Sequence, residues 1–199
     1  MMLNTEDLIT EILNSFARLD YIKPEEIPNI DLYMDQVTTF MDSRLASSRR
    51  YDSDKILTKT MINNYAKNKL LPPPVKKKYS CRQLCRILNI NMLKSALPME
   101  KICGLLGYIN GVLDDESDDT IDDSQLYFAF ARLVSSCSIG QIGDGSQVDA
   151  LMEKCLADYR EPVPGAKKRV KEVLQVMLLA WGSSQLQAQA ENAICALNI

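Results

Sequence analysis

The chain has 199 residues, enough for one compact domain or two small ones with a sizeable core. Its 46% hydrophobic and 25% charged residues are the proportions of a soluble globular protein, and the best apolar run, Val176 to Trp181, is far short of the ~18 residues a membrane span needs. The net charge is −3 and histidine is absent, which removes the commonest general base and the commonest metal ligand. Met1 to Asp7 carries no basic leader, so no secretory signal is expected and the expected compartment is the cytoplasm.

Apolar spacing predicts an all-α chain. A first helix is expected over residues 5–19, with Leu8, Ile12, Phe16 and Leu19 on one face. A second, over 31–45, takes Asp31 as its cap and buries Tyr33, Val37, Phe40, Met41 and Leu45. The polar stretch Ser47 to Asp54 leads to a third helix over 59–71, with Thr58 as N-cap and Ile62, Tyr65 and Ala66 on its inner side. Pro72-Pro73-Pro74 stops that helix, because proline cannot continue the hydrogen-bond ladder. Val75 to Tyr79 then reads as a short extended, basic connection. Ser80 caps a fourth helix over 81–97, and Pro98 opens a fifth that runs to about Tyr108.

An acidic segment, from Asp114 to Asp123, follows and is expected to be a solvated linker. Beyond it come three or four amphipathic helices, the last two over about 170–181 and 184–197. The expected organisation is an N-terminal unit over 1–110, a linker over 111–123 and a helical unit for dimerisation or sensing over 124–199. Tyr127, Phe130, Met152, Met177 and Trp181 are candidates to line a pocket for a small apolar effector, although such residues more often fill a core.

Charge is segregated along the chain. Residues 55–99 hold ten basic side chains and no acid, leaving 13 of the 23 basic residues and all 26 acids elsewhere. A basic island in an acidic chain is the electrostatic footprint of polyanion binding. Of the six cysteines, Cys81 and Cys85 share a helix face with Leu84, Leu88 and Met92, which marks them as core residues rather than half of a metal site. No nucleophile–base pair, metal set or phosphate-binding glycine loop is visible, so neither an enzyme nor a cofactor is expected.

A helix-turn-helix presents polar side chains of its second helix to the major groove. Here that helix offers Lys59, Thr60, Asn63, Asn64 and Lys67 to the groove; Lys69, Lys76, Lys77, Lys78, Tyr79 and Arg82 are placed to hold phosphates. Thr58 to Tyr65, running on to Leu70-Leu71-Pro72-Pro73, resembles the MerR-type short helix that ends in a Leu-Leu-Pro turn. Lys78-Tyr79-Ser80 and the helix after it resemble that family's wing and third helix, and Pro98 to Leu106 is similar to its fourth. More closely, Asp31 to Val37, Leu57 to Tyr65 and Lys69 to Pro74 resemble the bacterial "domain of unknown function 1836" family, over about residues 30–110. The resemblance implies a MerR-like winged helix-turn-helix followed by a C-terminal helical bundle, double-stranded DNA as partner, transcription regulation as function and a homodimer as the working form. It also implies phosphate contacts from Tyr65, Lys78 and Tyr79. Asn64, Ala66 and Lys69 depart from the MerR pattern, which has an aromatic, an acid and a glycine at those places. The competing expectation is a helical protein-interaction module that keeps the fold without binding DNA.

Overall fold

A computed structural model describes residues 21–46, 56–110 and 119–196. The helix expected over 5–19, the polar stretch Ser47 to Asp54, and the acids Asp114 to Asp118 lie outside the described residues. Seven α-helices and one two-stranded sheet account for the regular structure described, so the chain is mainly helical.

Asp31 does not cap the first described helix. Leu32–Tyr33 forms strand β1 instead, and helix α1 begins at Met34 and ends at Arg44. The reason is long-range: β1 pairs antiparallel with β2 (Lys78–Tyr79), with Leu32 opposite Tyr79 and Tyr33 opposite Lys78. Leu32 and Tyr79 point inward and are buried, whereas Tyr33, expected in the core, is 50% exposed. The Tyr33 N–H donates to Gln36 Oε1 (2.8 Å), which satisfies one orphan donor at the α1 N-terminus. Val37 and Met41, four residues apart, form the buried face of α1.

Helix α2 covers Lys59–Lys67, with Thr58 Oγ1 accepting from the Met61 N–H (3.2 Å). It stops short of the expected Leu71 because Lys69 turns left-handed (φ 55°) and the Leu70 N–H bonds back to the Tyr65 carbonyl (2.8 Å). This is the closing bond of a Schellman turn, at a place where glycine is the usual residue. After the three prolines, Val75 and Lys78 bridge across a two-residue turn in which Lys76 (φ 50°) and Lys77 (φ 66°) are both left-handed. The Lys78 N–H donates to the Val75 carbonyl (2.9 Å). Two positive φ values define the tight hairpin turn whose usual residues are Asn and Gly.

Ser80 and Gln83 form a reciprocal capping box at the start of α3 (Cys81–Leu93), which ends four residues before the expected Leu97. Helix α4 (Met99–Asn110) follows Pro98 as expected. Asp122 caps α5 (Asp123–Ser136), accepting from the Ser124 N–H at 2.8 Å. A short 3-10 turn (Ile139–Gln141) and α6 (Gly145–Cys155) lead to α7 (Ala166–Ala196). The sequence spacing suggested two helices where α7 is one of 31 residues. Gly182 does not break it; a Cβ there would lie 2.6 Å from Ile142 Cδ1, so the missing side chain lets the 3-10 turn pack close to the helix.

Helix α3 packs most extensively on α5 and also meets α7, so residues from both expected units share one continuous core. The described end of the acidic segment belongs to that core and is not a solvated linker. Ile121 is buried, and Asp123, at 2% exposure, opens the helix that packs on α3. Tyr127, Phe130, Met152, Met177 and Trp181 are all buried in the core and do not form the walls of an open apolar pocket.

Candidate nucleic-acid interface

The solvent side of α2 exposes Lys59, Thr60, Asn63, Asn64 and Lys67, while Ile62 and Tyr65 hold its inner side to the core. The i, i+4 spacing of Lys59, Asn63 and Lys67 produces this division. Lys59 is the one member of the set tied to an acid, forming an ion pair with the exposed Asp35 on α1. Lys69, at the left-handed turn, and Lys76 and Lys77, at the hairpin tip, are also exposed. A non-glycine residue held left-handed costs about 1 kcal/mol or more. All three such residues described in the structure are lysines of the acid-free window.

The arm between α2 and the hairpin is gripped from below by α3. Gln83 Nε2 donates to the carbonyls of Pro72 and Pro73 (3.1 Å each), and Arg86 Nε donates to the Leu70 carbonyl (2.5 Å). The Arg86 guanidinium also meets both carboxylate oxygens of Asp123 (3.1 and 3.2 Å), and both side chains are almost fully buried. Asn89 adds a bond to the Asp123 carbonyl (3.2 Å). The Pro72 and Pro73 carbonyls thus take their donor from a side chain of α3, which sets where the hairpin stands.

Three expected phosphate ligands are placed elsewhere. Arg82 is clasped by the acidic segment, paired with Asp119 and reached by Asp122 (3.2 Å) and Asp123 (3.6 Å). Its charge serves to hold the start of α5 against α3. Tyr65 and Tyr79 are 2% and 3% exposed, so neither ring presents a hydroxyl to a ligand at the surface. The Tyr65 hydroxyl is buried without a hydrogen-bond partner, and burial pushes its pKa up to about 12. Burial raises Tyr79 as well.

Tyr65→Phe is therefore expected to stabilise the protein by about 1 kcal/mol, since it removes an unpaired buried polar group. Wild-type stability is expected to hold below about pH 10, the unfolded-state pKa, and to fall as the pH rises toward the folded-state value. Urea midpoints at neutral and alkaline pH, wild type against Tyr65→Phe, measure both effects. A destabilised Phe variant, or one that weakens DNA binding, would count against a buried and unpartnered hydroxyl.

Sequence reasoning missed Tyr33 and Val75, which stand exposed beside Lys78 on the β ribbon. The alternation Leu32 in, Tyr33 out was available as a signal, but it is only two residues long. A cleft of about 340 Å³ opens where α5 begins; its lining is mixed, with the charged Arg82, Asp119, Asp122 and Arg160 beside Ile121, Tyr159 and Pro162. Among the described residues no cluster of three or more cysteine or carboxylate side chains is arranged to hold a metal ion, and no helix is long and apolar enough to cross a membrane.

The architecture is thus a mainly helical fold with a small β ribbon, gripped by α3, beside a lysine-rich helix. The family described as Domain of unknown function (DUF1836) matches residues 22–130, more than half the chain, and the protein belongs to that family. The matched span begins ten residues before β1 and runs into α5, so it includes the Arg86–Asp123 pair. Neither a curated protein nor a solved structure matches the chain.

Proposed function

We propose that the protein binds double-stranded DNA as a transcription regulator of the cytoplasm, through α2 and the Val75–Lys78 hairpin acting as a MerR-like winged helix-turn-helix. The observation that carries this reading is the exposed, carboxylate-free set Lys67, Lys69, Lys76 and Lys77, three of whose members hold a left-handed backbone. The element order strand, helix, helix, hairpin, helix, helix over Leu32–Asn110 is consistent with it. Lys59, Thr60, Asn63, Asn64 and Lys67 would read the groove, with asparagine suited to adenine N6 and N7. Lys69, Lys76, Lys77 and Lys78 would neutralise flanking phosphates.

With Arg82 committed to the acidic clasp, four lysines (69, 76, 77 and 78) remain to neutralise phosphates. Log K for a DNA duplex is then expected to fall with log salt at a slope of about −3.6. Anisotropy titrations of a labelled duplex across a salt series measure it; no duplex binding at low salt, or a flat response, sinks the reading.

The working form would be a homodimer. Leu179 and Leu186, seven residues apart on α7, and Ile194 are each at least half exposed, an apolar stripe suited to a second copy. Sedimentation equilibrium tests this, and a monomer at micromolar concentration would instead favour a separate protein partner for the stripe.

A further inference from the structure

We propose that Tyr33, Lys78 and Val75 form a clamp for one phosphodiester unit, with the tyrosine hydroxyl and the lysine ammonium on the phosphate and the valine against the adjoining sugar. This rests on the DNA-binding reading above and adds to it a site that lies on the ribbon rather than on α2.

The register places the three side chains in a row. Tyr33 is directly opposite Lys78 across the β1–β2 pair, and Lys78 is directly opposite Val75 across the hairpin. Residues opposite one another in antiparallel strands share a face of the sheet. The other face belongs to Leu32 and Tyr79, which are buried, so the Tyr33–Lys78–Val75 row is the outer face. Tyr33 is 50% and Val75 72% exposed, which leaves a contiguous aromatic and aliphatic surface in water.

The chemistry of this row is mixed and preset. Lys78 Nζ lies 5.0 Å from the Tyr33 ring centroid, a cation–π contact that keeps the ammonium over the ring. Two donors, the Tyr33 hydroxyl and the Lys78 ammonium, are therefore carried by side chains already in contact. Lys76 and Lys77 follow at the tip, making the positive edge continuous. A partner that fits has negative charge alternating with apolar surface at short repeat. The sugar–phosphate backbone has that composition; a purely acidic surface would leave Tyr33 and Val75 unmatched.

The test is anisotropy with a labelled DNA duplex at two or more salt concentrations, with folding of each variant checked by circular dichroism. Tyr33→Ala is expected to weaken binding about tenfold and Tyr33→Phe about threefold, both without changing the salt slope, since a neutral donor is lost. Val75→Ser is expected to weaken it about threefold. Lys78→Gln is expected to reduce the slope by about 0.9. Tyr33→Phe keeps the ring and the strand, so its result stands even if the alanine variant folds poorly.

If both Tyr33 variants bind like wild type while Lys76→Asn/Lys77→Gly binds weakly, the clamp is overturned and the DNA-binding reading survives. If wild type binds no duplex, the DNA-binding reading itself fails. Tyr33-dependent sedimentation with phosphatidylserine–phosphatidylcholine vesicles, in the absence of duplex binding, would reassign the row to a membrane surface and overturn the proposal.

Discussion

Replacing Asp123 with alanine is expected to cost about 3–5 kcal/mol of stability, the largest effect of any single polar substitution considered in this protein. The Arg86 guanidinium donates to both oxygens of that carboxylate, and neither side chain is more than a few per cent exposed. Removing the acid leaves a buried cation whose Nε is committed to the Leu70 carbonyl and which has no water to turn to. Stability of this size is a large part of the ~5–15 kcal/mol that typically holds a domain of this kind together. The double variant Arg86→Met/Asp123→Leu is expected to recover most of the loss, because an apolar pair needs no counter-charge, although the Leu70 carbonyl then loses its donor. Urea denaturation of wild type, Asp123→Ala, and the cycle Arg86→Met, Asp123→Leu and Arg86→Met/Asp123→Leu measures the loss and the coupling of the pair. An Asp123→Ala loss below 1 kcal/mol would show that Arg86 finds solvent, and the grip of α3 on the hairpin arm would need another explanation.

The second large effect has opposite signs on folding and on binding. Lys76→Asn/Lys77→Gly places the favoured residues into a turn whose two φ values are 50° and 66°. Relief of left-handed strain is expected to raise stability by about 1–2 kcal/mol, reduced by the greater chain entropy of glycine when unfolded. Two exposed charges at the hairpin tip are lost at the same time. Duplex affinity at low salt is expected to fall about a hundredfold and the salt slope by about 1.8. Lysine at these positions is explained only if charge at the tip is worth more to the protein than the strain it brings. A variant that is both more stable and equally tight on DNA would remove that explanation.

The local features of the candidate interface are legible in the sequence. Thr58 as N-cap, Ser80 as N-cap and the start after Pro98 all follow from nearest-neighbour backbone chemistry, and all are seen, whereas the helix expected to run up to Pro72 ends at Lys67 in the left-handed turn at Lys69. The exposed set on α2 follows from helical periodicity, although Ala66, expected on the inner side, is exposed. What was illegible depended on partners distant in sequence. Tyr33 was expected inside because a helix through Asp31 puts it on the apolar stripe; pairing with Lys78 turns the same residue outward. Tyr79 was expected at a phosphate, yet it lies buried in the core; Tyr65, which helical spacing put on the inner side and the family resemblance put at a phosphate, is buried as the spacing predicts. Arg82 belonged, by sequence, to the basic island, and acids 37 to 41 positions later took it.

The chain's own sequence determined the acid-free lysine window, the helical periods and the caps, since each depends on residues within about two turns of one another. Only the tertiary structure decided which of those cations face solvent. The ten basic residues of the window look alike in one dimension, but Arg86 is neutralised by Asp123 and Arg82 by three acids, while Lys69, Lys76 and Lys77, on left-handed turns, are in no such clasp among the described residues. Charge is a property of the residue; its availability to a ligand depends on what the fold brings within about 4 Å of it.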